Sequence, residues 1–386
     1  MKYFFEIGYL KPIGLAAAIL LMSSCLKQKK DTVTQAPVQP PATTVKYDWP
    51  AIADSAQMSL GYFYNATSKF YTVSNNSDNW VQYWPTAHTL DVLNDGYIRT
   101  NSETFKSKMD DLLIGLKSQN GDTWINHFYD DMEWMALASL RAYKTTGDIK
   151  YKNIIDELWP DIQNGWSADL GGGIWWNKDK GSKNAISNSP AAIFAARMYE
   201  QFGNTSDLDF SKKVYAWVKT NLFNANGSVY DNIDKNGTVQ TSPGWVFTYN
   251  EGTFLGAALE LYKITGEIQY RDDAVKAANF TIQSLTSNGI LKSEGNGDGG
   301  LFKGIFIRYL TRLIIEGDLT PDIKKTFADF VKFNGETLWS KGTNKFYPLF
   351  GPFWGTPPDS QTDLTTQLSG IMLFEAVAEL SRNHLI

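Results

Sequence analysis

Two adjacent carboxylates, Asp130 and Asp131, stand in the segment 127–134, His-Phe-Tyr-Asp-Asp-Met-Glu-Trp, at the head of an apolar, Ala-rich stretch. Acids at a helix start often serve only as caps for its unsatisfied N–H groups, and an isolated pair would need no other explanation. Here His127 and Trp134 flank the pair, a poor setting for carboxylates that serve solubility alone. Glycoside hydrolysis uses one carboxylate as nucleophile or base and one carboxylic acid as proton donor, and a separation of about 5 Å suits the retaining, covalent route. Neighbours at a helix start can diverge by that much. Two like charges so close cannot both ionise cheaply, so one member keeps its proton near neutral pH. The residue types leave open which Asp takes which role.

Other chemistries have little support. The only histidines are His88, His127 and His384, without HExxH or Cys/His ligand spacing, so neither a transition-metal site nor a cofactor is expected. The glycines at 171–173 and 295–300 lack the strand-to-helix setting of a phosphate loop, and no Gly-x-Ser-x-Gly elbow is present. A net charge of −5 with no basic run in the body argues against nucleic acid as a partner. Aromatics make up 14% of the chain, with 13 Trp, an excess that asks for more than core filling.

The elements that position the pair emerge from a repeat: Tyr143 to Tyr151 (YKTTGDIKY) recurs as Tyr262 to Tyr270 (YKITGEIQY). In each copy a helical stretch ends at Gly, a C-cap signal, and an amphipathic stretch follows. Reading outward predicts six such pairs. The first members are 51–66, 103–118, 150–162, 209–222, 270–285 and 320–334, with one charged face; the second are 86–98, 131–146, 189–202, 251–265, 303–316 and 364–382, richer in Ala, Gly and Leu. A helix apolar nearly all round belongs inside and one with a polar face outside. The expected fold is therefore all-α, an (α/α)6 toroid, with an open solenoid of hairpins as the alternative. Connections from outer to inner helix are long, and long loops gathered at one end carry function. Nine of the 13 Trp fall in them: Trp80, Trp84, Trp124, Trp166, Trp175, Trp176, Trp245, Trp339 and Trp354. An aromatic groove above helix N-termini suits a sugar chain, whose C–H faces stack while its hydroxyls hydrogen-bond.

The N-terminus carries Lys2, Lys11, an apolar run from Ile13 to Met22, and then Ser23-Ser24-Cys25, the pattern of a secretion signal ending in a lipobox. Residues 1–25 are read as a lipoprotein signal with Cys25 as the lipidated residue, 26–47 as a disordered tether, and 48–386 as the catalytic domain.

The ordered set of motifs resembles the family 76 glycoside hydrolases, the α-1,6-mannanases, and particularly those of mannan-degrading Bacteroidetes. Its carriers are Tyr83 to His88 (YWPTAH), Tyr129 to Trp134 (YDDMEW), Gly171 to Trp176 (GGGIWW), Lys183 to Asn188 (KNAISN), Phe247 to Gly252 (FTYNEG) and Asp298 to Gly304 (DGGLFKG), spread across Trp49 to Glu379. The resemblance implies retaining endo-hydrolysis of α-1,6-linked mannan, with Asp130 as nucleophile and Asp131 as acid/base. By position it also implies substrate contacts at Trp84, His88, Trp134, Trp175, Trp176, Asn184, Asn188, Tyr249, Asn250 and Lys303, with helix capping an equal alternative for Asn188 and Asn250. Met135 departs from the second Trp of many relatives, which bears on the groove wall rather than the chemistry. The expected setting is extracytoplasmic, as a monomer held to the outer membrane by the lipid. The residues 26–30 (LKQKK) lack the acidic residues of a surface-export signal, which favours the periplasmic face. The competing expectations are a toroid acting on another glycan and an α-mannan-binding lipoprotein without catalysis.

Overall fold

The computed structural model describes residues 46–386, so Cys25, the signal segment and the tether before Lys46 lie outside the described residues. A compact unit runs from Tyr47 to Ile386. Outer helices α1 (Trp49–Met58), α3 (Glu103–Gln119), α5 (Ile149–Asn164), α7 (Thr205–Asn221), α9 (Ile268–Ser284) and α11 (Pro321–Thr337) alternate along the chain with inner helices α2 (Tyr83–Thr100), α4 (Tyr129–Thr146), α6 (Ser189–Phe202), α8 (Thr248–Thr265), α10 (Gly299–Glu316) and α12 (Leu364–Arg382).

Periodicity decides which ring each helix joins. In α5 the buried residues Tyr151, Ile154, Ile155, Leu158, Trp159 and Ile162 form one stripe, and the remaining face meets water. In α12 the buried set runs without a break from Leu364 to Ala378. Each inner helix packs on the next, and α12 meets both α10 and α2, which closes the ring; α1 then packs on α12. An open solenoid would leave α2 and α12 apart, so the molecule is a closed (α/α)6 toroid. Close approach of inner helices needs glycine. A Cβ on Gly252 of α8 would lie 2.7 Å from the Phe306 Cα of α10, and one on Gly304 would lie 2.7 Å from the Ser369 Cα of α12.

The repeated Tyr-x-x-x-Gly is the turn from inner to outer helix. Gly147, Gly203 and Gly266 sit at φ of 72°, 77° and 71°, where a side chain would be strained, and each N–H bonds the carbonyl of Tyr143, Tyr199 or Tyr262 at 2.8 Å. The outer-to-inner connections are long and carry short antiparallel pairs: β1 (Tyr64–Asn65) with β2 (Phe70–Tyr71), β5 (Thr286–Ser287) with β6 (Ile290–Leu291) and β7 (Thr343–Asn344) with β8 (Leu349–Phe350) are hairpins, whereas β3 (Ser182–Asn184) and β4 (Asn232–Asp234), the pair that matters for the site, join two different connections.

Several helices start two to four residues earlier than the sequence expectation, and two boundary differences have a clear local cause or consequence. The first outer helix ends at Met58 and continues as a 3₁₀ turn to Phe63, where the Ser59 hydroxyl donates to Ala56 O and accepts from Gln367 Nε2. Helix α4 starts at Tyr129, which places Asp130 and Asp131 inside its first turn rather than at its cap; the cap position is Phe128, which offers no side-chain acceptor.

The opposite, C-terminal ends of the inner helices enclose a cavity of about 220 Å³. Arginines there neutralise carboxylates and the negative helix ends: Arg141 meets Asp91 at 2.6 Å, Arg308 meets Asp95 at 2.6 Å, and Arg99 meets Glu375 at 2.8 Å.

Candidate active site

The N-terminal ends of α2, α4, α8 and α10, with the loops above them, surround a cleft of about 630 Å³. Asp130 and Asp131 lie in it, both partly open to solvent. Their helix start is clamped from outside by the loop 165–188. Tyr129 N–H donates to Trp176 O at 3.0 Å and Lys178 N–H donates to His127 O at 3.1 Å, while Phe128 forms a β-bridge with Asn177.

That loop is itself built around buried polar groups. Lys183 Nζ donates to Asp169 O at 2.7 Å and Gly172 O at 2.6 Å, and it lies over the Trp175 ring at 4.7 Å. Asn188 accepts from Ile174 N–H at 2.7 Å and donates to Ile174 O at 3.0 Å. Together these hold Trp176 at the cleft edge, where its Nε1–H donates to Asp130 Oδ2 at 3.2 Å.

The two carboxyls therefore differ. Burial pushes Asp130 up to about 7, opposed by the Trp176 N–H. Asp131 is pushed well above the usual carboxylate range by burial first, then by the charges of Asp130 and Asp298. No described residue donates a hydrogen bond to the Asp131 carboxyl, so only water compensates its anion. Water at the cleft tempers both shifts until a sugar displaces it. The arrangement suits an ionised Asp130 beside a protonated Asp131.

Aromatic rings pave the floor in a continuous path. His88 lies 4.5 Å from Trp134 and 5.6 Å from Trp84, Trp84 lies 6.4 Å from Phe302, and Phe302 stacks on Tyr249 at 3.8 Å. Of the ten expected contacts, Trp84, Trp134, Trp176, Asn184 and Tyr249 line the cleft. The other five do not, and each has a structural occupation. His88 is buried beneath the floor, propping Trp84 and Trp134, and burial lowers it to about 3, so it is neutral. Trp175 is buried with its indole donating to Ser167 Oγ at 3.0 Å, and Asn188 is spent on Ile174. Asn250 donates to Asp231 Oδ1 at 2.9 Å and so orients a residue that does line the cleft. Lys303 is fully buried, its Nζ donating to Pro352 O and lying over the Trp354 ring. Of the nine loop tryptophans only Trp84, Trp176 and Trp245 reach the cleft. Trp354 is fully buried and the others pack on the core.

Sequence reasoning missed Asp231, Asn232, Asp298, Phe247 and Phe302 as cleft residues. Phe247, Asp298 and Phe302 stood inside motifs already singled out. Asp231 and Asn232 had no local signal, because pairing of β4 with β3 is what carries them to the cleft. Among the described residues no group of three or more His, Cys, Asp or Glu is arranged to hold a metal ion, and no helix is long and apolar enough to cross a membrane.

A profile of glycosyl hydrolase family 76 matches residues 49–383. The fold matches that of the GH76A α-1,6-mannanase from Salegentibacter sp. HEL1_6 with a TM-score of 0.83 and 45% identity, covering 86% of this chain and 100% of that one. The same enzyme matches equally as an inactive variant with two neighbouring Asp-to-Asn substitutions, in complex with α-1,6-mannotriose. In sequence, a putative mannan endo-1,6-α-mannosidase of Schizosaccharomyces pombe is 24% identical over 348 residues, covering 82% of this chain and 76% of the relative. The protein therefore belongs to glycosyl hydrolase family 76.

Proposed function

We propose that this protein is a retaining endo-hydrolase of α-1,6-linked mannan backbones, with Asp130 as nucleophile and Asp131 as acid/base. The observation that carries the assignment of roles is the asymmetry of donors: the Trp176 indole donates to the Asp130 carboxyl, and no described side chain or amide donates to that of Asp131. In the first step the Asp130 carboxylate forms a bond to the anomeric carbon, the glycosidic C–O bond breaks, and the Asp131 proton passes to the departing O6. In the second step Asp131 takes a proton from water, the resulting hydroxide attacks the anomeric carbon, and the bond to Asp130 breaks. The anomeric configuration is retained because it is inverted twice.

The aromatic floor supports a sugar substrate: Trp84, Phe302 and Tyr249 present ring faces or edges along the cleft, and Asn184, Asp231 and Asn232 supply hydroxyl partners on one side. The neutral cleft substrate fits the absence of Lys and Arg from its lining. The reading extends to an extracytoplasmic monomer anchored through a lipid on Cys25, for which Cys25→Ala should move the protein from the membrane to the soluble fraction.

The test is release of mannooligosaccharides from debranched yeast α-mannan. Asp130→Asn and Asp131→Asn should each abolish it with the fold intact by circular dichroism. Near wild-type turnover in either variant would overturn the assignment. Tight binding by the wild type with no reducing ends released would reject catalysis itself. Proton NMR of the first product anomer checks retention.

A further inference from the structure

The cleft lining contains four carboxylates, Asp130, Asp131, Asp231 and Asp298, and no Lys or Arg. Two perform the proposed chemistry. Asp231 is tied down by side-chain amides from Asn250 and Asn232, at 2.9 and 2.8 Å. Asp298 is left over, and its placement is specific. It occupies the cap position of α10 but makes no capping hydrogen bond with its side chain. Instead its Oδ1 accepts from Trp84 Nε1–H of α2 at 3.0 Å. Helices α4 and α10 are three places apart in the closed inner ring, so Asp298 faces the Asp130–Asp131 pair from the far side of the cleft.

The loop delivering Asp298 is held in that position. Gly295 and Gly297 take φ of 93° and 60°, and Gly297 N–H donates to Asp363 Oδ2 at 2.9 Å. The nearby cations point elsewhere: Lys303 Nζ donates to Pro352 O and Lys292 Nζ to Val246 O at 3.0 Å. Glu294 accepts from Thr248 N–H at 2.8 Å. Tyr249, Tyr83 and Glu133 are held in their neutral forms by burial. The charge of Asp298 is thus not cancelled by any described cation that faces it. A carboxylate serving only solubility has no need of an indole donor to fix it over a cleft.

We infer that Asp298 is a positioning residue of the hydrolysis, whose fixed negative charge keeps the proton on Asp131 until the glycosidic oxygen receives it. The inference rests on the proposed function. Its field also reaches Asp130 and acts in the same direction there.

The sign follows from the acid role. Activity is lost as pH rises through the titration of the acid, and removing a neighbouring negative charge lowers that titration. Asp298→Asn keeps an acceptor for Trp84 and removes only the charge. Its kcat/KM profile on debranched α-1,6-mannan should have an alkaline limb displaced to lower pH by about one unit, the scale on which a neighbouring like charge acts. The acidic limb should move in the same direction. Asp298→Ser, a second neutral variant, should show the same displacement, and Asp298→Glu should restore the wild-type limb. A lower kcat or higher KM with both limbs in place, in variants that retain the wild-type circular dichroism, would overturn the inference and leave Asp298 as a plain sugar contact or loop anchor. A wild type inactive on α-1,6-mannan would instead reject the functional reading.

Discussion

The hydrogen bond from Trp176 to Asp130 gives the sharpest test of how this cleft divides labour between its two acids. Trp176→Phe keeps an aromatic face and removes the one N–H that reaches Asp130 Oδ2 at 3.2 Å. A hydrogen bond to a charged group contributes about 1.5–3 kcal/mol. Trp176 is 37% exposed and the bond is long, so the lower end applies. About 1.4 kcal/mol corresponds to tenfold in an ionisation equilibrium, so at pH below the acidic limb, where only the ionised fraction reacts, kcat/KM should fall about tenfold. The donor stabilises the anion, so without it Asp130 ionises at higher pH. A nucleophile works only when ionised, hence the acidic limb of the profile should move up by about one unit. Initial rates on debranched α-1,6-mannan across pH, with kcat and KM separated, measure both effects. If KM alone rises while the acidic limb stays put, Trp176 is only a stacking platform and the donor asymmetry does not set the roles.

Two further outcomes follow from groups that the structure removes from, or places beneath, the site. Lys303→Met should leave KM within about twofold and, by leaving Pro352 O unpaired, should lower stability to urea by about 1–3 kcal/mol; a large rise in KM would return Lys303 to the substrate. Glu133 is fully buried in α4, with neither carboxyl oxygen bonded to a side chain, and burial followed by the charge of Asp130 pushes it well above the usual range. A carboxyl raised by folding favours the native state below its unfolded value of about 4.3, and that contribution is lost as pH rises through the folded value. Glu133→Gln has no such loss, so its stability advantage over wild type should grow from pH 5 to pH 8; a pH-independent difference in urea midpoint would show that Glu133 does not titrate in this way.

Much of the architecture was legible because it rests on local chemistry. The repeated Tyr-x-x-x-Gly announced the turns, since only a left-handed residue at Gly147, Gly203 or Gly266 can end an α-helix so sharply. The contrast between the one-sided stripe of α5 and the continuous burial of α12 separated outer from inner helices. Closure into a ring was not local: it depends on α12 packing against both α10 and α2, far apart in sequence.

The site divides along the same line. Asp130 and Asp131 could be found from the chain, because adjacency at a helix start constrains both residues whatever the rest of the protein does. The ten neighbouring contacts could not be sorted, because residue type and motif do not reveal which way a side chain turns. Trp175 and Trp176 are consecutive, yet the first stacks under Lys183 and the second meets Asp130. Lys303 had the chemistry of a sugar ligand, and only packing showed its Nζ spent on Pro352 O. Asp231 carried no signal until the pairing of β3 with β4 brought it to the cleft. By itself the sequence determined the helices, their order and the candidate catalytic pair, all set by interactions within a few residues. What makes the two acids differ lies in the tertiary structure alone, because the Trp176 indole that reaches Asp130 and not Asp131 comes from a distant part of the chain.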